Sequence, residues 1–482
     1  MRTAIRSVFL ALGLAICATP AAAASRMHDF DLKMPPAAEA GTFTGFSPCR
    51  FLGLKSRPTD SAECGALVVA EDRARPQGRL LVLPVVKLPA TAPTKLSPLF
   101  YFQGGPGSTN LNYSVEAPSV MRTHDIYMLG YRGSDDLVPL QCPEVMAAVL
   151  EPKPLSDATR AAITAASRAC AERFKRAGVD LSRYRMVDVI ADYEDLRREL
   201  GIATVNLIGT SYGTRVEQYY ARLHPAAVSH SVLLSANPPG HFTWFPETTG
   251  AVLEAHSKLC AANPACASQT QDLHQTVLSV LSRPDGDVEG APIDMDRVRI
   301  VAFFQLMNRD SALQLFHTLV DAEKGDARGL VRLSEMYGAI VPNAFIWGDA
   351  NSKAGTDCDP DDAAFIARRL PSRQSIGSPL DFILHAACLG WPVEPPPPGF
   401  SRAARDPTST LIVGGDLDIS TPLRYVQSEL MPSLPNGHLV IIQGEGHTGW
   451  RGQPEALDRL LSTFLATGQG DASLLKPVPL AF

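Results

Sequence analysis

Apolar positions in the first half of the chain form short runs, and segments of helical spacing lie between these runs. Short apolar runs bounded by turn residues are typical of buried strands, whereas spacing of three and four residues is typical of helices. The predicted strands are Cys64–Ala70, Arg79–Leu88, Leu99–Phe102, Asp125–Leu129, Val205–Ile208 and Val228–Leu234, and the predicted helices are Pro154–Ala177, Val187–Leu200 and Thr214–His224.

The pattern changes in the middle of the chain, where strands disappear between about Gly240 and Ala403. Helices are predicted there at Glu247–Ala261, Asp272–Leu281, Asp296–Met307, Ala312–Ala322, Ala327–Tyr337, Asp361–Arg369 and Leu380–Cys388. Alternation then resumes with strands Thr410–Val413 and Leu439–Ile442 and helices Pro422–Met431 and Pro454–Leu465. We therefore predict an α/β fold with a mostly parallel sheet, built from residues 25–239 and 404–482 and interrupted by a helical insertion at 240–403.

Composition and charge exclude several classes of function. The 482 residues are 45% hydrophobic and 20% charged, which is ordinary for a protein with a sizeable core. The net charge is −6, without a long basic or acidic block. Neither nucleic acid nor an anionic membrane is therefore an expected partner.

The N-terminal residues resemble an export signal. Arg2 and Arg6 precede the apolar run Val8–Ala18, and small residues follow as far as Ala24. This order is typical of a cleaved signal peptide at residues 1–24. A membrane anchor needs a longer apolar run, and a lipid-modified Cys17 does not fit because Ile16 is too large for the preceding position. We expect a secreted or periplasmic protein that is soluble once the signal is removed.

Cysteine usage supports export. The chain has nine cysteines, and removal of Cys17 with the signal leaves an even number, which in an exported protein predicts disulfides. No C-x-x-C pair is present, so zinc binding is not expected. Pairing of sequence neighbours gives the bonds Cys49–Cys64, Cys142–Cys170, Cys260–Cys266 and Cys358–Cys388, although about a hundred other pairings of eight cysteines exist.

A candidate nucleophile lies where the strand at Val205–Ile208 meets the next helix. Gly209-Thr210-Ser211-Tyr212-Gly213 matches G-x-S-x-G in the strand–turn–helix context of a nucleophile elbow. The alternative is an ordinary structural turn. In the first interpretation the turn exposes the Ser211 hydroxyl, and the helix N-terminus stabilises developing negative charge.

A nucleophilic serine needs a base and an acid that orients the base. Two strand ends after the insertion supply them in the chain order of parallel-sheet hydrolases. Asp416 and Asp418 both follow the strand Thr410–Val413, and His447 follows Leu439–Ile442. We prefer Asp418 as the acid because it lies deeper in its loop, just before the turn into Thr421-Pro422.

An oxyanion hole would complete such a site. The backbone N–H of Tyr212 is one expected donor, and the loop Gln103–Gly107 after an earlier strand is placed to give the second. The G-x-G-x-x-G match at 444–449 lacks the βαβ unit that a dinucleotide site requires, and the loop at 104–109 lacks the lysine of a P-loop. No metal or organic cofactor is expected.

These motifs together resemble one branch of the α/β-hydrolases, the tripeptidyl aminopeptidases and prolyl aminopeptidases (proline iminopeptidases), including a TAP-like C-terminal region. The matching segments are GGPG at 104–107, RGS at 132–134, DYEDLRRELG at 192–201, NLIGTSYG at 206–213, CLGWP at 388–392, GGDLDISTP at 414–422 and GEGH at 444–447. The resemblance implies an α/β-hydrolase fold with a helical cap. It also implies a triad of Ser211, Asp418 and His447, with oxyanion donors at Gly105 and Tyr212.

The resemblance further implies an aminopeptidase that acts on peptides with a free N-terminus. Acidic side chains of the cap would bind the substrate amine, and Glu247, Glu254, Asp310 and Glu335 are possible choices. An esterase or another small acyl-ester or amide hydrolase with the same triad is the alternative, since this fold hosts many acyl substrates. A non-catalytic binding protein is a further alternative, against which the complete triad argues.

Overall fold

The structure is a computed structural model that describes residues 28–54, 59–241, 244–355, 376–377, 387–392 and 397–479. Nine strands form one sheet in the order β1-β2-β3-β5-β4-β6-β7-β10-β11. They are β1 Ser47–Phe51, β2 Thr59–Ala70, β3 Leu80–Leu88, β4 Leu99–Phe102, β5 Ile126–Leu129, β6 Val205–Thr210, β7 Val228–Leu234, β10 Ser409–Gly415 and β11 Gly437–Ile442. The α/β fold class and the mostly parallel sheet are confirmed.

The sheet has an antiparallel and a parallel part. Strands β1, β2, β3 and β5 pair antiparallel, whereas β5, β4, β6, β7, β10 and β11 pair parallel in that order. The sequence pattern missed β1 and began β2 at Cys64, five residues late. β1 is the edge strand and β2 lies next to it, and polar residues such as Ser47 and Glu63 leave no continuous apolar run there.

Helices cover both faces of the sheet. On one face, residues of α3 (Asp157–Arg176), α4 (Met186–Glu199) and α5 (Tyr212–Leu223) share a buried apolar cluster with sheet residues such as Phe100. On the other face, α1 (Pro118–Thr123) and the helix Pro454–Thr467 share a second cluster with Ile208 and Val413. A short α2 at Pro143–Ala148 precedes α3.

The insertion is helical, as predicted, with one exception. Its helices are α6 Pro246–Ala262, α7 Pro264–Ala267, α8 Leu273–Leu281, α9 Met295–Leu306, α10 Arg309–Glu323, α11 Arg328–Ile340 and α12 Trp347–Ala354. The exception is a hairpin of β8 (Gly286–Val288) and β9 (Ala291–Ile293). Its turn residues Glu289 and Gly290 have φ of 53° and 84°, the geometry that two-residue hairpin turns require.

Three of the predicted helices differ from the structure or lie outside its described part. The predicted helix Asp361–Arg369 and most of Leu380–Cys388 lie outside the described residues. The predicted helix Pro422–Met431 is present as Leu423–Tyr425, a π-helical turn at Val426–Leu430, and Met431–Ser433. Among the described helices, none combines the length and hydrophobicity that crossing a lipid bilayer requires.

Three disulfides confirm three of the predicted pairs. They join Cys49 to Cys64, Cys142 to Cys170, and Cys260 to Cys266. Cys388 is also disulfide-bonded, and Cys358 lies outside the described residues. Glu144 lies beside the Cys142–Cys170 bond, where it pairs with Arg173. Disulfides persist in oxidising compartments, so this set indicates an extracellular or periplasmic environment.

Candidate active site

Ser211 occupies a sharp turn between β6 and α5. All six residues of β6 are buried, and α5 begins at the residue after Ser211. Ser211 has φ 54° and ψ −126°, a region that non-glycine residues rarely occupy. Such strained geometry is characteristic of functional residues, and a G-x-S-x-G elbow requires it to raise the serine hydroxyl above the sheet.

His447 and Asp418 form a continuous hydrogen-bonded chain with Ser211. The Nε2 atom of His447 lies 2.9 Å from Ser211 Oγ, and its Nδ1 atom lies 2.8 Å from Asp418 Oδ2. The three side chains follow the ends of β6, β10 and β11, which are parallel neighbours through β7. The structure therefore brings together the three residues that the sequence predicted as a triad, in the arrangement of a serine nucleophile, a base and an orienting acid.

Asp418 is held by its own loop as well as by His447. Its Oδ1 accepts the backbone N–H groups of Ser420 and Thr421, both at 2.8 Å, and its Oδ2 accepts the Thr421 hydroxyl at 2.6 Å. Burial opposes ionisation of this carboxyl, yet its pKa is lowered because the charge and hydrogen bond of His447 and the bonds from Thr421 favour the carboxylate. Asp418 is therefore fixed as an anion beside the imidazole.

Asp416, the competing acid, faces a different partner. Its Oδ1 accepts the backbone N–H of Gly444 at 2.7 Å, which ties the β10 loop to the β11 loop. The sequence could not separate these two aspartates beyond their depth in the loop. The sequence placed Thr421 only in the turn after Asp418 and did not predict that its hydroxyl contacts both Asp418 and His447 Nδ1.

The glycine loop after β4 lies directly against the nucleophile. A Cβ atom on Gly104 would lie 2.8 Å from the Cβ of Ser211, so only glycine fits there. The N–H of Gly104 is directed to Thr210 Oγ1 at 3.3 Å. Gly105 lines the same cavity as Ser211, and Tyr212 is the first residue of α5, where backbone N–H groups have no helical acceptor. Gly105 and Tyr212 remain the predicted oxyanion donors.

A buried asparagine fixes the position of this loop. Asn110 is fully buried, and its Oδ1 accepts the backbone N–H of Gln103 at 2.7 Å. Its Nδ2 contacts the Tyr193 hydroxyl at 2.6 Å and donates to the Leu129 carbonyl at 2.8 Å. The backbone N–H of Asn110 donates in turn to Asp135 at 2.9 Å. Both ends of the glycine loop are therefore attached to the neighbouring strand β5 and to α4.

Two of the motifs on which the family resemblance rests form hydrogen bonds to distant parts of the chain. Arg132, from the RGS segment, is completely buried and donates two hydrogen bonds of 2.6 Å to Asp192, from the DYED segment. Ser134 donates to Asp349 of α12 at 2.7 Å, and Asp349 also pairs with Lys353 in the same helix. These motifs hold the β5 loop to α4 and to the insertion, at a distance from the triad itself.

The insertion contacts both loops of the site through backbone and side-chain hydrogen bonds. The Met307 carbonyl accepts the His447 N–H at 2.6 Å, and Thr448 bonds to Asn308. At the other loop, the Ile346 N–H donates to the Gly107 carbonyl at 2.8 Å. Arg309 lies 3.9 Å from Glu445, two residues before His447. The insertion is therefore attached to the loops that carry His447 and the glycine motif, although none of its described residues lines the cavity beside Ser211.

A cavity of about 200 Å³ opens beside the nucleophile. Its walls include Gly105, Ser108, Ser211, His447 and Arg451. A larger cavity of about 750 Å³ lies between the β2–β3 turn and α3, and no triad residue lines it. Its charged residues pair among themselves, as Arg75 with Asp72 and Arg79 with Glu71. The smaller cavity is the one that adjoins the reactive hydroxyl.

Comparisons with known proteins agree with this geometry. Residues 97–255 match the family described as alpha/beta hydrolase fold, and residues 380–474 match the family described as TAP-like protein. The first match contains Ser211, and the second contains Asp418 and His447.

Two curated relatives cover most of the chain. The tripeptidyl aminopeptidase of Streptomyces lividans is 25% identical over 459 residues, which is 85% of this chain and 82% of that protein. The serine protease Hip1 of Mycobacterium tuberculosis is 23% identical over 464 residues, 88% of each chain. Among solved structures, a serine hydrolase from Cycloclasticus zankles aligns with a TM-score of 0.40 and 12% identity, over 85% of this chain and 100% of that one.

Proposed function

We propose that this chain, an α/β-hydrolase and serine hydrolase with a TAP-like C-terminal region, is an exported aminopeptidase that releases N-terminal residues or tripeptides from peptides. The observation that carries the chemistry is the unbroken chain of hydrogen bonds from Ser211 through His447 to Asp418. The peptide substrate is supported by the two relatives, which are named as a tripeptidyl aminopeptidase and a serine protease.

The reaction proceeds in two acyl-transfer steps. Ser211 Oγ attacks the scissile carbonyl carbon while His447 Nε2 takes the hydroxyl proton, and Asp418 stabilises the imidazolium that forms. The N–H groups of Gly105 and Tyr212 stabilise the oxyanion. His447 then donates its proton to the departing amine, which leaves an acyl-enzyme on Ser211. A water molecule, deprotonated by His447, attacks this ester and releases the N-terminal product.

Recognition of a free amine requires an anionic group close to the triad. Of the acidic cap residues Glu247, Glu254, Asp310 and Glu335, Glu254 already pairs with His274 and Lys258. Asp310 follows the segment Met307–Arg309 that contacts the His447 loop. Its side chain is 88% exposed and lies 3.8 Å from Arg309 Nη1, a longer contact than the 3.0 Å between Glu254 and His274. We assign the amine-binding role to Asp310 on this position.

Labelling and turnover test the proposed function together. Wild-type protein should react with a fluorophosphonate probe and hydrolyse aminoacyl or tripeptidyl anilides, whereas Ser211→Ala should do neither. Ser428→Ala is the matched control, because it removes an exposed serine hydroxyl that does not line the cavity beside Ser211. It should behave as wild type. Turnover of simple esters alone would favour the esterase alternative, and a wild-type protein that fails to label would favour a binding protein.

The amine assignment has its own test. Asp310→Asn should raise KM by roughly 10- to 100-fold for peptides with a free N-terminus, the usual effect of losing one charge-assisted hydrogen bond. N-acetylated peptides and simple esters should show no such change. Equal effects on both substrate types would mean that Asp310 does not contact the amine, and Glu335→Gln is the matched cap control.

A further inference from the structure

The cavity beside Ser211 carries a positive charge and no negative one. Its walls consist of glycine backbone, hydroxyl and amide side chains, two apolar residues, His447 and Arg451. No carboxylate of the described chain lines it. At about 200 Å³ it is smaller than typical ligand pockets, so it accommodates a small part of a substrate. Its charge suits an anionic group and is the opposite of what a free amine needs.

Arg451 is a partly buried arginine without an acidic partner among the described residues. In the described part of the chain, no carboxylate lies within the 4.0 Å ion-pair distance of its guanidinium, and its buried Nε has no hydrogen-bond acceptor. Arg132 and Arg73, by contrast, both pair with Asp192 at 2.6 and 2.5 Å. A cation that is partly removed from water and has no ion-pair partner is a ready binding site for an anion.

The local structure holds Arg451 in position without neutralising it. Its guanidinium carbon lies 4.7 Å from the ring centroid of Trp450, which is 2% exposed. Its backbone N–H donates to Thr448 at 3.0 Å within the turn Gly449–Gly452. Burial lowers the pKa of Arg451, while Tyr101 and Glu116 act in the opposite direction. Stacking on a tryptophan and a short turn after His447 therefore fix the charge beside the nucleophile.

We infer that Arg451 binds a carboxylate of the substrate in the cavity beside Ser211, and so makes this enzyme prefer peptides that present a carboxylate there. Guanidinium groups match carboxylates in geometry and charge. Two parts of a peptide carry this group, namely the C-terminal carboxylate of a short peptide and an acidic side chain. The inference rests on the proposed peptidase function for the identity of the substrate, but the presence of the anion site does not depend on turnover.

Binding to the inactive Ser211→Ala protein tests this inference without catalysis. The ligands are trialanine as the free acid and as the C-terminal amide, together with an Ala-Ala-Glu amide and its Gln counterpart, measured by calorimetry. Trialanine acid should bind roughly 10- to 100-fold more tightly than its amide if the C-terminus is the source of the carboxylate. A similar preference for the Glu over the Gln amide identifies the side chain as the source.

Variants of Arg451 in the same background locate the effect. Arg451→Met should abolish the acid preference, and Arg451→Lys should retain part of it, because a lysine keeps the charge but loses the bidentate geometry. Arg459→Met removes an exposed cation from the helix Pro454–Thr467 and should leave the preference intact, which excludes a general charge effect. With Ser211 present, fluorophosphonate labelling of Arg451→Met checks that the site still folds.

The outcomes separate this inference from the proposed function. No acid preference in either ligand pair, or a preference that survives in Arg451→Met, overturns the role of Arg451 even if wild type cleaves peptides. An acid preference that disappears in Arg451→Met supports the anion site even if wild type hydrolyses only esters. In that second case the peptidase assignment fails and the carboxylate site stands.

Discussion

Asp418 receives hydrogen bonds from His447 Nδ1, from two backbone N–H groups and from the Thr421 hydroxyl. This set leaves the carboxylate one orientation, and the orientation in turn decides which nitrogen of His447 faces Ser211. Asp416, only two residues away, has its own backbone partner in Gly444. The two aspartates therefore have different partners: Asp418 contacts the imidazole of His447, and Asp416 contacts the backbone of the β11 loop.

Asparagine at each position should distinguish these tasks. Asp418→Asn should lower kcat by about 10,000-fold, because an amide favours the wrong tautomer of the histidine, as in other serine hydrolases with a triad. Asp416→Asn keeps an oxygen for the Gly444 N–H and should retain activity close to wild type. Steady-state hydrolysis of an activated ester or anilide measures both, and a larger loss in Asp416→Asn would contradict the assignment of the acid.

Asp135, which supports the glycine loop, should make folding stability depend on pH. Its Oδ2 accepts the N–H groups of Asn110 and Tyr131, but burial raises its pKa to about 6. Between the ordinary carboxyl pKa of about 4 and this value, the folded state binds the proton and the unfolded state does not. Stability from this group is therefore lost as pH rises from about 4 to about 6, by about 3 kcal/mol at most.

Asp135→Asn removes this titration while its amide oxygen still accepts both N–H groups. Urea unfolding is measured at pH 4, 5, 6 and 7. The free energy of unfolding of the variant relative to wild type should rise up to about pH 6 and stay constant above it. A difference that stays constant from pH 4 to 7 would mean that Asp135 is ionised throughout.

The three residues of the predicted triad could be proposed from the sequence because each follows a strand end, and strand ends of a parallel sheet meet at one edge. Their supporting residues were not predictable, because each contact joins distant parts of the chain. The hydrogen-bonded pairs are Asn110 with Tyr193, Arg132 with Asp192, and Ser134 with Asp349. No local pattern marks such pairs, and the family motifs indicated that these segments matter without indicating why.

Among the helices and strands, α12 shows why a pattern can fail. All eight of its residues, Trp347–Ala354, are buried, including the polar Asp349, Asn351 and Lys353. A helix that is buried on every side has no contrast between apolar and polar faces, so periodicity does not detect it. The Glu289-Gly290 turn of the small hairpin was detectable in principle, but strands of three residues give too short an apolar signal.

The buried ion pair of Asp349 and Lys353 in α12 should contribute strongly to the free energy of unfolding. Lys353→Met leaves Asp349 buried beside no cation and should destabilise the protein by about 3–5 kcal/mol. Adding Asp349→Asn should recover part of this loss, because the amide carries no charge for burial to penalise and still accepts from Ser134.

A double-mutant cycle in urea measures the coupling between Asp349 and Lys353. Additive losses from the two single variants would show that the pair does not act as a unit. Ester hydrolysis by each variant reports whether the glycine loop, attached to the same region through Ile346 and Gly107, keeps its position.

For the whole molecule, the division into an α/β core and a helical insertion followed from the sequence pattern alone. The order of the strands in the sheet did not follow from the sequence pattern, because packing and not adjacency in the chain decides which strands pair. For example, β3 pairs with β5 and not with β4, the next strand along the chain. One apolar cluster contains both sheet residues such as Phe100 and insertion residues such as Phe303. The two parts therefore share a core, which sequence periodicity does not reveal.

A disulfide should stabilise the molecule more when it closes a longer loop, with a dependence on the logarithm of the loop length. The Cys142–Cys170 bond closes a sequence separation of 28, against 6 for Cys260–Cys266. Chain-entropy arguments give about 3.5 and about 2 kcal/mol for these loops. Double serine variants of each pair, compared by urea unfolding, should rank in that order, and equal or reversed losses would show that contacts outweigh chain entropy here.

The backbone bonds from Met307 to His447 and from Ile346 to Gly107 also bear on how this architecture can be recombined. Side chains can be exchanged one at a time, but a main-chain hydrogen bond depends on the path of the whole segment. A chimera that takes only residues 240–403 from a relative would present a foreign path to both the base loop and the glycine loop. We therefore expect a chimera to keep these bonds only when the insertion is transferred together with residues 104–108 and 444–448.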